Sequence, residues 1–333
     1  MACWPALPPR AAYLSLHNAA RRNALSVSVL RDLRAQLWRH NRSPVDGQLR
    51  MLPAFVPSAV AQLEAAAAGA AQGSGADDPA IDAWAWLVDG ARWRHERRGL
   101  PNVLVLRSAG PVFCAGHDLG ELQAFSRSSS SSNNSNSRGG PDSVQEAFAL
   151  CGEVMGLMRR SPVPVVCVVQ GLATAAGAQL ALTADLAIAR AGTRFCLPGA
   201  GLGLPCTAPA AAVARRLGPA LTYRMLALAE AVRADQMGGA VDVVAGESAD
   251  ALEERVAEVV GRLAERTAPQ PQALGKWAFW TQLGLTSDGG RGGDGYEEAV
   301  KWTGRVMALH ARSEDAREGI ASFLEKRTPE WKL

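Results

Sequence analysis

The sequence predicts an α/β fold with a parallel, layered core, followed by a segment that is all helix. Short runs of Val, Leu and Ala alternate with longer stretches of helical periodicity. Two of the runs end alike, in a turn of small residues that opens directly into a helix. Beyond about residue 246 only helical patterns remain.

Tyr13-Leu14-Ser15-Leu16 reads as the first strand, and residues 26–38 as an amphipathic helix carried by Leu30, Leu33 and Leu37. The next clear strand, Val103-Leu104-Val105-Leu106, comes much later. The intervening residues 41–99 hold an alanine-rich stretch, a Gly/Ser/Asp break and a segment with Trp84, Trp86 and Trp93, and read as an insertion dispensable for the fold. Arg92, Arg94, Arg97 and Arg98 surround Trp93. A basic cluster beside tryptophan suits nucleic acid, but with no binding motif or basic domain around it the reading adopted is a solvated helix end. Residues 127–140, rich in Ser and Asn, read as a second insertion, a mobile loop. Downstream, residues 144–158 and 175–182 read as helices, and 163–169, 186–189 and 194–196 as strands. Helical stretches follow at 211–228, 249–264, 296–310 and 316–326.

The chain has 333 residues, 48% hydrophobic and 20% charged, enough for a substantial core. A net charge of +3 from 35 basic and 32 acidic residues gives no field that marks nucleic acid or a membrane as the partner, so any anion site is local. No apolar stretch reaches membrane-spanning length and no secretory signal opens the chain, which points to a soluble, intracellular protein. The cysteines Cys3, Cys114, Cys151, Cys167, Cys196 and Cys206 show no paired spacing, which favours a reducing compartment and no metal site.

The chemistry concentrates in two constellations. Val103 to Leu106 leads through Gly110-Pro111-Val112 to Phe113-Cys114-Ala115-Gly116-His117-Asp118-Leu119, a buried strand, a turn and a small-residue junction into a helix. Val163 to Val169 leads through Gln170-Gly171-Leu172-Ala173-Thr174 to Ala175-Ala176-Gly177-Ala178-Gln179-Leu180, on the same plan. Helix starts leave N–H groups free, so two such junctions brought together would aim two donors at one oxygen, as an oxyanion hole does. Taken alone, their spacing favours two tight strand-to-helix connections over an oxyanion hole.

Together with Arg22-Asn23-Ala24-Leu25-Ser26, Phe195-Cys196-Leu197-Pro198 and Glu318-Gly319-Ile320-Ala321-Ser322-Phe323-Leu324, these stretches resemble the crotonase (enoyl-CoA hydratase/isomerase) superfamily. Within it, Gly171 to Gly177 and the closing Lys326-Arg327-Thr328-Pro329-Glu330-Trp331 are closest to the branch of enoyl-CoA hydratase domain-containing protein 3. The resemblance implies a crotonase-like spiral core of repeated strand-turn-helix units over residues 1–245 and a C-terminal helical trimerisation segment over 246–333. It implies an acyl-CoA thioester as partner, coenzyme A being part of the substrate, and no separate cofactor. It implies a homotrimer or dimer of trimers, and mitochondrial localisation, with the cytoplasm as the alternative. Family members carry a strand ahead of the one at Tyr13, so the chain is expected to lack its true N-terminus and any targeting peptide.

By resemblance, the backbone N–H groups of His117 and Ala176 form the oxyanion hole, and the His117 side chain need not take part. Arg21, Arg22, Phe323 and Lys326 match positions that contact coenzyme A. A hydratase uses two glutamates to activate water and protonate the α-carbon. Their positions here hold Gln179 and Gly199, and residues 195–212 contain no Asp or Glu. Cys206 and Thr207 lie where other branches place an acid or polar group; Cys206 is read as a buried structural thiol, with a weak acid as the alternative. Three functions compete: an acyl-CoA enzyme of other chemistry, an acyl-CoA binder and a ligand-free subunit. Gln179→Glu with Gly199→Glu is expected to raise hydration.

Overall fold

The computed structural model describes residues 4–56, 58–71, 79–131, 143–246, 248–284, 296, 300 and 314–329. Eight strands are present among them: β1 (Ala11–Leu16), β2 (Val103–Ser108), β3 (Val165–Val169), β4 (Leu172–Thr174), β5 (Leu186–Arg190), β6 (Arg194–Cys196), β7 (Ala231–Arg233) and β8 (Asp242–Val244). The larger sheet is parallel throughout, in the order β1-β2-β3-β5-β8. A three-stranded sheet, β4-β6-β7, pairs β4 parallel and β7 antiparallel to β6.

β2 and β3 are buried on both faces, which explains their unbroken apolar runs. One face of the large sheet meets α10 (Ala249–Glu265) through Val103, Val105, Val166, Val168, Leu252 and Val256. The other face belongs to the main core, with Leu14, Leu104, Leu106 and Cys167 packed against the Leu30, Leu33 and Leu37 stripe of α1 (Val27–Asn41). Ser26 caps α1 by accepting from the Val29 N–H at 3.3 Å.

Residues 41–99 are no appendage. They form α2 (Ala59–Ala71), α3 (Pro79–Val88) and α4 (Gly90–Glu96), and with α11 (Pro269–Gly284) they enclose a separate apolar core of Leu52, Phe55, Leu63, Trp86, Trp93 and Trp277. Leu52 exchanges two hydrogen bonds with Arg160, its N–H donating to the Arg160 carbonyl (2.8 Å) and its carbonyl accepting from Arg160 Nε (2.9 Å). The expected dispensability of this segment is therefore withdrawn. Its tryptophans are what buries α11. The solvated helix end expected around Trp93 holds for Arg94 and Arg98, which are exposed, and is corrected for Trp93 and Arg97, which are 4% and 3% exposed.

The expected loop at 127–140 begins as helix: α5 (Leu119–Ser131) runs into the serines, and residues 132–140 lie outside the described residues. α6 (Ser143–Arg160) and α7 (Ala176–Thr183) match the periodicity. The single helix expected at 211–228 is two, α8 (Thr207–Leu217) and α9 (Pro219–Leu228), broken at Gly218, whose φ of 77° suits glycine. Of the helix expected at 296–310 only Tyr296 and Val300 are described. The last helix, α12, spans Glu314–Glu325.

Candidate thioester site

The two small-residue junctions do come together. The stretch leading to His117 is held on one side by the early loop: Ala115 N–H donates to the Arg22 carbonyl (3.0 Å), Leu25 N–H to the Gly116 carbonyl (2.7 Å) and Asp118 N–H to the Leu25 carbonyl (3.4 Å). On its other side, Cys114 N–H donates to the Leu172 carbonyl (3.3 Å) and Thr174 N–H to the Cys114 carbonyl (3.0 Å). His117 itself forms an isolated parallel bridge with Leu25. At the second junction Ala176 is the first residue of α7, where an N–H has no intrahelical acceptor. Ala175 before it sits at φ 51°, ψ −122°, a conformation that costs a non-glycine residue about 1–3 kcal/mol.

Gly116 is what lets the junctions touch. A Cβ placed there would lie 2.9 Å from Ala175 Cβ and 3.4 Å from Ala176 N. Its φ of 86° also disfavours any side chain. Asn23 holds the early loop in place, its Nδ2 donating to the carbonyls of Ala109 (2.7 Å) and Val112 (2.8 Å), and it is fully buried. The motif Arg22 to Leu25 was legible in the sequence; the positioning role of Asn23 within it was not.

A cavity of about 580 Å³ opens at this point. It lies against one face of the small sheet, lined by Leu172 and Thr174 of β4, Arg194 and Cys196 of β6 and Ala231 of β7. His117, Ala176, Gly199, Arg22 and Phe323 all line it. Leu119, Leu122, Phe148, Leu172 and Leu204 make its walls largely apolar, and Arg194 adds a second cation. No aspartate or glutamate is among the described lining residues.

The other sequence candidates stand apart from the wall. Arg21 pairs with Asp118 at 2.8 Å. Lys326 is exposed just past α12, at φ 57°. Gln179 is 2% exposed, does not line the cavity, and among the described residues its Nε2 has no hydrogen-bond partner. Gly199 is on the wall but closed in: a Cβ there would collide with the Leu204 carbonyl and lie 2.8 Å from Cys206 Sγ and 2.9 Å from Cys206 N. The double glutamate replacement expected to raise hydration thus meets backbone at position 199.

α12 roofs the cavity from the same chain. Phe323 reaches the lining, and Gly319 sits so close to Leu202 that a Cβ would overlap its carbonyl.

Burial sets the protonation of the titratable groups here. The Cys206 thiol is pushed up to about 12, as is that of Cys114, so both are inert. The His117 imidazole, edge-on to Phe148 at 4.7 Å, is pulled down to about 4 by burial, against an opposing hydrogen bond to the Leu25 backbone. It is neutral at physiological pH. Above the unfolded value of 6.5 both states are neutral; between 6.5 and about 4 only the unfolded chain takes the proton. His117 should therefore withdraw up to about 3 kcal/mol of stability as pH falls through that window. Urea unfolding of wild type and His117→Gln across pH 4–7 checks this, and parallel profiles would refute it.

The sequence pattern of the family described as Enoyl-CoA hydratase/isomerase matches residues 98–333. Enoyl-CoA hydratase domain-containing protein 3, mitochondrial, of Danio rerio is 34% identical over 232 residues, covering 69% of this chain and 72% of its own. Its Homo sapiens counterpart is 33% identical over 231 residues, covering 69% and 68%. The crystal structure of human enoyl-CoA hydratase domain-containing protein 3 aligns with a TM-score of 0.57 at 27% identity, covering 98% of each chain. The strand order, the paired junctions and these likenesses agree: the chain belongs to the enoyl-CoA hydratase/isomerase family and has the crotonase fold.

Proposed function

We propose that the protein binds an acyl-CoA thioester in the cavity beside His117 and polarises its carbonyl through the backbone N–H groups of His117 and Ala176, without the hydratase glutamate pair. The observation that supports this is the close approach of the two junctions at Gly116, with His117 and Ala176 both on the wall of one largely apolar cavity. An oxygen gaining enolate character is the group such donors stabilise, each for roughly 3 kcal/mol. Arg22 and Phe323 at the cavity, with Arg21 and Lys326 outside it, are assigned to the coenzyme A moiety, which enters as part of the substrate. No further cofactor takes part.

The absence of a carboxylate among the described lining residues favours a second reading of the same site, an acyl-CoA binder or regulatory subunit with little turnover. Residence in mitochondria, after the printed names of the relatives, and assembly as a homotrimer or dimer of trimers complete the proposal.

Calorimetric titration with butyryl-CoA tests the site. Gly116→Ala, which drives a methyl between the junctions, should weaken binding at least about tenfold, the loss of one charge-assisted or buried hydrogen bond. Unchanged affinity would place the ligand elsewhere. A parallel turnover screen over acyl-CoA thioesters separates enzyme from binder, and light scattering gives the oligomeric state.

A further inference from the structure

A second cavity, of about 820 Å³, shares no residue with the first. The end of α4, the residues ahead of β2, the end of α10 and the start of α11 form its wall. Four arginines line it, Arg10, Arg94, Arg97 and Arg98, against one carboxylate, Glu265.

Arg97 is the informative member. It is 3% exposed, and among the described residues it has no carboxylate partner. Its Nη2 donates to the Pro101 carbonyl (3.0 Å) and at 3.5 Å to that of His40, and the guanidinium lies 5.4 Å from the Trp93 ring. Its Nη1 is buried and, among the described residues, has no hydrogen-bond partner. Desolvation, joined by the nearby charge of Arg10, draws the guanidinium down to about 9, still a cation at neutral pH. A buried cation that faces another cation and keeps an idle donor is unfavourable by itself. An oxyanion in the cavity would offset the charge of the facing cations. The start of α11 contributes the positive end of a 16-residue helix whose first turn holds no acid.

We infer that this cavity binds a phosphate-bearing small molecule, with the buried Arg97 in its floor and Arg10, Arg94 and Arg98 as the outer clamp. Several cations against one acid suit a dianion better than a lone carboxylate, and Arg is the side chain whose planar fork matches phosphate oxygens. Stacking argues against a nucleic-acid strand, because Trp93, 4% exposed, offers no face for a base. Most of the α4 contribution precedes the residues matched by the family, so the site is separate from the thioester machinery.

Isothermal titration of the full chain with inorganic phosphate and with pyrophosphate, in chloride buffer of matched ionic strength, tests the assignment. Wild type should show saturable one-site binding, tighter for pyrophosphate. Arg94→Gln with Arg98→Gln removes two exposed cations and leaves Arg97 intact; it should keep the wild-type melting temperature in chloride and bind pyrophosphate at least about tenfold more weakly. Absence of saturable binding to wild type, or equal affinity in the double variant, would overturn the site. So would a single-stranded RNA that displaces phosphate at lower concentration than pyrophosphate does.

Discussion

Crotonyl-CoA mixed with the purified protein should remain essentially unhydrated, because each missing proton-transferring carboxylate removes a factor of roughly 10² to 10⁴ in rate. Gln179 is an amide that neither lines the cavity nor, among the described residues, finds a partner for its Nε2. Gly199 offers no side chain. The remaining titratable groups do not substitute, since Cys206 is held near 12 and His117 near 4, both far from where a shared acid and base must work. Disappearance of the enoyl chromophore under excess protein measures this directly. Hydration at the rate of an ordinary hydratase would show that another residue moves the protons. Gly199→Glu should fail to restore the rate, because its Cβ meets the Leu204 carbonyl before the carboxylate can be placed. Gln179→Glu alone should fold and stay slow.

The second large effect is expected far from the cavity. Trp277 of α11 is 6% exposed, packs among Leu52, Phe55, Trp86 and Trp93, and donates its Nε1–H to the Ala54 carbonyl at 3.1 Å. Trp277→Ala should cost about 3–5 kcal/mol, the usual range for emptying a large aromatic site. Phe279, two residues along and 49% exposed, is the control, and its replacement by alanine should cost under about 1 kcal/mol. Chemical denaturation reads both. A Trp277→Ala loss as small as the Phe279 one would mean that residues 41–99 are dispensable after all.

These results separate what local sequence carries from what only tertiary contact reveals. β2 and β3 were legible because a strand buried on both faces must be apolar throughout. The junctions at His117 and Ala176 were legible because close backbone approach demands small residues. α11 was missed: Pro269, Pro271 and Gly275 punctuate it, and Trp277 is buried by a partner segment almost two hundred residues upstream, with Trp280 half-buried against the same core, rather than by a periodic stripe of their own. Arg97 looked solvated because charge predicts exposure and nothing local shows that α4 ends against the Pro101 and His40 carbonyls. Gln179 could be aligned with a catalytic position, yet its burial and its idle Nε2 are facts of packing.

The crowding around Gly199 also fixes the order in which mutations can accumulate. With the Leu204 carbonyl and Cys206 occupying the space of a Cβ, any acid at position 199 has to be preceded by changes in the following loop that draw residues 204–206 back. Those permissive changes bring no proton transfer themselves while Gly199 persists, so no single substitution is rewarded on that path. On the proposed function, a lineage carrying this loop is channelled toward chemistry that uses the amide pair alone, and a directed-evolution campaign for hydration should diversify residues 200–206 before it touches 199.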